Sequence, residues 1–326
     1  MLRGLRRSGI LIPFIILFIA LAISSKPFAT KVNLLNLLDQ QSALLVIACA
    51  GTLVFVAGGL DLSVGAVYAL SAVVAARLAQ HGDIGLALLV GVLVGVLVGL
   101  LNGVIVAIFE INPLIATLSM SFVVSGIASL ITSGDSITLY HRSAYGDLAR
   151  TQIFSVTSAT WLTLLVACLL GAALWATSFG RHIYAVGGNI NAARLAGLRV
   201  TQIRVATFAI SGGAAAFGGL IDSSRVLSAQ ATNGGDTLTF TVIAGIVVGG
   251  TSMLGGEGAV WRSVLGILFL ALIGNGYNLL GLDPLYQQVT LGVLILLAVA
   301  VEGFGRIAER WNIRSWRRRP APQVAT

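Results

Sequence analysis

Apolar stretches, one after another and nearly free of charge, occupy most of this chain. They cover residues 10–24, 42–57, 62–78, 84–108, 113–131, 159–177, 203–221, 238–251, 260–280 and 286–301. Each runs on without the apolar–polar alternation of a membrane β-barrel, so that class is excluded. A helix that crosses a bilayer needs about 20 apolar residues, and the chain has room for about ten of them. The expected fold is therefore all-α: a polytopic membrane protein of about ten transmembrane helices, in one transmembrane domain over residues 1–326. The third and eighth stretches are short, and Gly pairs break the chain before each of them.

Only 10% of the residues are charged, against about 25% in soluble domains. That excludes an ordinary soluble enzyme and a nucleic-acid-binding domain. The net charge of +8 is instead read as arginine in loops on the cytoplasmic side. Lys26 and Lys31 are the only lysines, and neither sits in a G-x-x-x-x-G-K-[ST] loop, so the chain has no P-loop of its own. Cys49 and Cys168 fall in apolar stretches and read as packing residues.

Arg3, Arg6 and Arg7 before an apolar core imitate a signal peptide, but no small-x-small cleavage site follows, and a retained first helix is expected. An even number of spans puts both termini on one side. With the termini inside, the cytoplasmic segments hold Arg181, Arg194, Arg199, Arg204, Arg262 and the terminal arginines, 14 of the 20 basic residues. Both termini are accordingly expected in the cytoplasm. Of the two longest hydrophilic segments, 133–158 is then extracytoplasmic and 178–202 cytoplasmic.

Gly91, Gly95, Gly99 and Gly103 recur every fourth residue, which makes one bare stripe along the fourth span. Such a stripe lets another helix backbone approach closely. The run SGGAAAFGG (211–219) reads the same way for the seventh span. Two further stretches resemble each other: Asn102-Gly103, an apolar run, then Asn112-Pro113-Leu114 and Thr117; and Asn275-Gly276, an apolar run, then Asp283-Pro284-Leu285 and Thr290. In the topology above the two prolines lie on opposite sides, as an inverted repeat of spans 2–5 and 7–10 requires.

Asp61 and Ser63, in Gly58-Gly59-Leu60-Asp61-Leu62-Ser63, interrupt two apolar spans. They either cap the helix that follows or mark a broken helix facing a solute path. In the cytoplasmic segment, Gly187-Gly188-Asn189 reads as a turn followed by a short helix that ends at Gly197. That helix, bearing Asn191 and Arg194, is either an interfacial anchor or a docking knob for a soluble partner.

Intramembrane catalysis is disfavoured. His81, His141 and His182 lie in loops or at span ends, with no serine partner in view. No cluster of metal-ligand residues is present, so neither a catalytic set nor a metal is expected. Acidic residues such as Asp61, Glu110, Asp222 and Glu257 sit at span ends, whereas ion-driven carriers place charges in mid-span. The interior offers Ser, Thr, Asn and Gln, which suits a neutral, hydroxyl-rich solute. Candidates for the path are Asp61, Ser63, Asn102, Thr117, Thr241, Asn275, Asn278 and Gln287.

Four motifs in order, GGLDLSVGA (58–66), GRHIYAVGGN (180–189) with AARLAGL (192–198), VVGGTSMLGGEG (247–258) and NGYNLLG (275–281), resemble the ribose/galactose-type sugar permeases of ABC importers. The resemblance covers residues 33–302. It implies a bacterial inner-membrane permease for a monosaccharide or similar polyol, without a cofactor of its own. Its implied partners are a cytoplasmic ATPase, often two fused cassettes, that consumes the ATP; an extracytoplasmic sugar-binding protein; and a second permease copy or a sister permease. It also implies that Arg181, His182, Asn189, Asn191, Arg194 and Gly197 belong to the segment that couples to the ATPase. A carrier that uses no ATP is the alternative, and it would have no need of that segment. One departure from the family pattern stands out: Thr239 and Thr241 occupy positions where the family commonly has Glu and Asp.

Overall fold

The structure, a computed structural model, describes residues 9–283, 285–290, 292–294, 296–297 and 300. Arg3, Arg6, Arg7, Pro284, Val301 and the basic segment Arg306 to Arg319 lie outside the described residues.

The chain is a bundle of helices, consistent with an all-α membrane protein. Among the described residues, six helices are long and apolar enough to cross a membrane: α2 (Lys31–Val56), α4 (Ile84–Ala107), α5 (Pro113–Thr132), α7 (Ser158–Ala176), α10 (Val200–Val226) and α12 (Val260–Leu279). Three shorter apolar helices, α1 (Leu11–Ser24), α3 (Val64–Ala79) and α11 (Gly235–Val248), fill the first, third and eighth expected positions. The tenth expected position is helical at 285–290 and 292–294.

α2 starts well before the apolar run that marked it, at Lys31 rather than residue 42. Thr30 caps it by accepting the Asn33 N–H, and the polar residues Asn36, Asp39 and Gln40 continue the helix beyond the apolar zone. Its second half is buried on every side from Leu45 to Ala57, the pattern of a helix at the centre of a bundle. α10, 27 residues long, lies beside it.

The glycine stripe of α4 faces α10. A Cβ at Gly95 would collide with the Gly212 carbonyl and Ala216, one at Gly99 with the Phe208 carbonyl, and one at Gly103 with Val205. Gly91 lies against Ala75 and Ser71 of α3 and against Leu220. Gly212 of α10 meets the Gly95 carbonyl in return. On the opposite side of α4, Leu86, Leu89, Leu93 and Leu97 are more than half exposed. Helical periodicity alone separates these two faces, one for close packing and one for lipid.

At one end of the bundle, residues 133–158 are ordered. β1 (Ile137–Thr138) pairs antiparallel with β4 (Ser228–Ala229), which follows α10. A 3₁₀ turn (Ser143–Gly146) and α6 (Asp147–Arg150) lead to a hairpin of β2 (Gln152–Ile153) and β3 (Val156–Thr157). Tyr145 anchors the segment. It is fully buried and its hydroxyl lies 3.0 Å from Ser223 Oγ. Burial pushes its phenol up to about 12, against the pull of that hydrogen bond, so it stays protonated.

At the opposite end, 178–199 forms two helices, α8 (Ser178–Gly188) and α9 (Ile190–Leu195). The turn expected at Gly187-Gly188 is instead the last turn of α8. Thr177 caps α8 through the Gly180 N–H, which lets the helix start directly after α7.

Candidate functional site

The break between α2 and α3 gathers several buried polar groups inside the bundle. Gly58, at φ +75°, turns the chain out of α2, a conformation that glycine adopts without strain. Asp61 is 5% exposed and Ser63 is fully buried. Asp61 Oδ1 accepts the Ser63 N–H at 3.0 Å and the Ser63 hydroxyl at 2.7 Å. Asp61 Oδ2 accepts the Ser211 hydroxyl at 2.8 Å. Asn102 Nδ2 of α4 donates to Ser63 Oγ at 2.8 Å. Thr117 Oγ1 of α5 accepts the Leu62 N–H at 2.9 Å and donates to the Pro113 carbonyl at 2.8 Å. Four sequence candidates, Asp61, Ser63, Asn102 and Thr117, thus meet at one place.

Ser211 is the member that sequence reasoning missed. It opens the SGGAAAFGG run, where small residues read as packing. Its distinguishing signal is that it is the one hydroxyl in that run.

The capping of α3 differs from the simple expectation. Ser63 stands at the N-cap but its side chain caps nothing. Asp61 satisfies Ser63's own N–H, and the Gly65 N–H is taken by Thr239 Oγ1 of α11 at 3.1 Å. A partner helix therefore supplies the acceptor that an N-cap side chain normally gives. The starts of α3 and α11 touch here: a Cβ at Gly234 would collide with the Gly65 carbonyl.

A cavity of about 10 Å³, beside Asp61 and lined by Val54, Phe55, Val242 and Ile246, holds at most about one water. The Asp61 network lies in a close-packed interior and holds the break in place.

The other path candidates lie apart. Thr241 donates to its own helix at the Thr237 carbonyl, 2.7 Å. Phe240 beside it is 56% exposed. Asn275 of α12 and Asn33 of α2 exchange two hydrogen bonds, 2.9 and 3.1 Å, that clamp these helices. Asn278 is exposed, and the Gln287 side chain abuts Gly274.

The α8–α9 unit rests on a seam of backbone. A Cβ at Gly187 would collide with the Val56 carbonyl, and one at Gly255 would meet Gly58 Cα at 2.8 Å. The Gly256 N–H donates to that Val56 carbonyl at 2.8 Å. Three of the sequence motifs, 58–66, 180–189 and 247–258, therefore converge on one point. Tyr184 donates to the Gly258 carbonyl at 2.7 Å, and burial raises its phenol above the ordinary value, Arg262 opposing.

Asn189 is a cap rather than a knob: its Oδ1 accepts the N–H groups of Asn191 and Ala192 at 3.1 and 3.0 Å. Gly197, at φ +80°, ends the turn after α9. Arg181 bonds Ser178 at 2.7 Å, and His182 is half-buried on α8. Ala193 packs inward, so α9 presents Asn191, Ala192 and Leu195 outward, with Leu195 91% exposed. Arg194 turns back to Glu110, Nη2 to Oε1 2.8 Å.

Among the described residues, no three His, Cys, Asp or Glu side chains gather to hold a metal ion. The arrangement offers a locked break in a helix, a backbone seam and an exposed apolar knob.

The model of a family described as branched-chain amino acid transport system / permease component matches residues 33–299. The ribose import permease protein RbsC of Bacillus subtilis (strain 168) is 37% identical over 91% of this chain and 93% of its own length. The ribose import permease protein RbsC of Escherichia coli (strain K12) is 35% identical over 90% of this chain and 92% of its own. The L-arabinose transport system permease protein AraH of the same organism is 37% identical over 93% and 92%. No solved structure matches the chain. A multi-pass apolar bundle matched over nearly its whole length by import permeases belongs to the branched-chain amino acid transport system / permease component family.

Proposed function

We propose that this chain is the membrane-spanning subunit of an importer for a monosaccharide, driven by a separate ATP-hydrolysing subunit that docks on α8 and α9. The observation that carries this reading is Leu195, 91% exposed at the tip of a short capped helix, with Asn191 beside it. An apolar side chain held out on a rigid helix suits insertion into a partner's cleft. The pentose permeases among the relatives support a sugar as the cargo.

In this reading the chain has ten spans with both termini in the cytoplasm. The α8–α9 end is cytoplasmic and the 133–158 end meets a sugar-binding protein outside. An inverted repeat is supported by two equivalent units, a helix of 26 or 27 residues followed by a break and a short helix: α2–α3 and α10–α11. The starts of the short helices meet at Gly65 and Gly234.

The interior of one copy has no room for a sugar at Asp61, so the path runs between two permease copies. The exposed Thr237 and Phe240 and the half-exposed Thr241 on α11 suit its wall. Hydroxyls and an aromatic face are what a neutral polyol meets well.

Purification from bacterial membranes in mild detergent tests this. An ATPase should co-purify, and reconstituted vesicles should take up ribose or arabinose only with ATP and a binding protein present. Uptake without ATP would make the chain a facilitator.

A further inference from the structure

We propose that the Arg194–Glu110 ion pair is the link through which α9 acts on the break between α2 and α3, which makes Glu110 a positioning residue for coupling. The inference rests on the reading that α9 docks an ATPase, and it names how the docked segment reaches the interior.

Glu110 sits in the short turn between α4 and α5 with φ at 54°. Few residues other than glycine or asparagine are found in that left-handed region, so this backbone is held by its surroundings. Its carboxylate is tied to Arg194 Nη2 at 2.8 Å. Two residues on, Asn112 caps α5 by accepting the Leu114 N–H at 2.9 Å, with Pro113 in the first turn. One helical turn further, Thr117 holds the Leu62 N–H at 2.9 Å. Leu62 is flanked by Asp61 and Ser63, whose side chains bind Ser211 and Asn102.

From α9 to the break there is thus one ion pair, one rigid helix start and one hydrogen bond. The 178–199 segment also grips the other side of the break, where Gly187 lies against the Val56 carbonyl at the end of α2. A segment that holds both sides of a break shifts one side against the other when it moves. Glu110 is 66% exposed and Arg194 49%, and an exposed pair of this kind adds little to stability. Its placement at this junction makes it a transmitter of motion.

The test uses the whole complex in inverted membrane vesicles, with a cysteine placed at Leu62 in a Cys168→Ser background. N-ethylmaleimide labelling of that cysteine is followed with and without a non-hydrolysable ATP analogue. In this parent the analogue should change the labelling rate by about fivefold or more, the lower end of ordinary coupling between sites. Glu110→Gln and Arg194→Gln should each abolish most of that change, while the ATPase still co-purifies with Glu110→Gln. Exchanging the charges, Arg194→Glu with Glu110→Arg, should restore it. A full nucleotide response in Glu110→Gln, or no rescue by the exchange, would overturn the link and leave the ATPase reading standing. A parent complex without an ATPase or without a nucleotide response would overturn that reading, and the link with it.

Discussion

The Ser211 hydroxyl donates to the Asp61 carboxylate at 2.8 Å, joining the break after α2 to the middle of α10 across 150 residues of chain. This bond decides what Asp61 does. The carboxylate accepts three hydrogen bonds, two from Ser63 and one from Ser211, and ties two helices rather than lining an opening. Asp61→Asn should be mild, because Oδ1 keeps the Ser63 bonds and the Ser211 hydroxyl can turn to accept from the amide. The expected loss is about 1 kcal/mol or less. Asp61→Leu leaves the Ser63 N–H stranded in the interior, at about 1–3 kcal/mol for each such group. Thermal unfolding in detergent separates the two. Equal midpoints for both variants would show that the network holds nothing.

Gly95→Leu should damage assembly. The space for its side chain is filled by the Gly212 carbonyl and Ala216, and overpacking costs at least about 1–3 kcal/mol where the backbone must move. Membrane abundance and monodispersity report it. A normally abundant, active variant would mean that α4 and α10 pack otherwise.

Leu195→Asp should weaken ATPase co-purification by about tenfold, the equivalent of losing the burial of one leucine side chain. The chain itself should stay intact, since Leu195 touches little within it. Undiminished co-purification would move the docking surface elsewhere.

Sidedness can be read with a membrane-impermeant thiol reagent. Ser143 and Asn191 are both exposed and lie at opposite ends of the bundle. In a Cys168→Ser background, cysteine at Ser143 should react in intact cells and cysteine at Asn191 only after lysis. The reverse pattern would invert the topology and exclude α9 as an ATPase contact.

Thr239 and Thr241 should respond oppositely to acids. Thr239 is buried against Gly65, whose N–H it accepts, so Thr239→Glu has no space, and Thr239→Val forfeits about 1 kcal/mol of capping. Thr241 is half-exposed, and Thr241→Asp should fold normally. Matched expression levels for all three variants would contradict the contact between α3 and α11.

Much of this was legible in the sequence. Gly91 to Gly103 announced a close helix contact because a four-residue period has a single geometric reading. Asp61, Ser63, Asn102 and Thr117 stood out because polar groups amid apolar runs need partners. The partners themselves were not legible: Ser211 lay in a run of small residues, and only the crossing of α10 past the break makes its hydroxyl matter. α2 begins before the apolar run that marks it, because hydropathy locates the apolar zone and a helix can extend past it. Gly187 and Gly188 suggest a turn, yet both sit in α8, and Gly187 serves a close approach to the Val56 carbonyl rather than a bend. β1 and β4 were invisible, because two-residue strands take their pairing from tertiary contact alone.

Where Gly187 lies against the Val56 carbonyl, no side chain stands between two main chains. Such a joint has no rotamers to rearrange, so it yields only when whole segments slide. Point substitutions can retune the grip of Leu195 or the charge on Glu110, but any new geometry at this joint requires three stretches of chain to change together. The joint is thus a fixed datum for the adjustable contacts around it. Diversity among permeases of this architecture should accordingly gather around the joint and spare the joint itself.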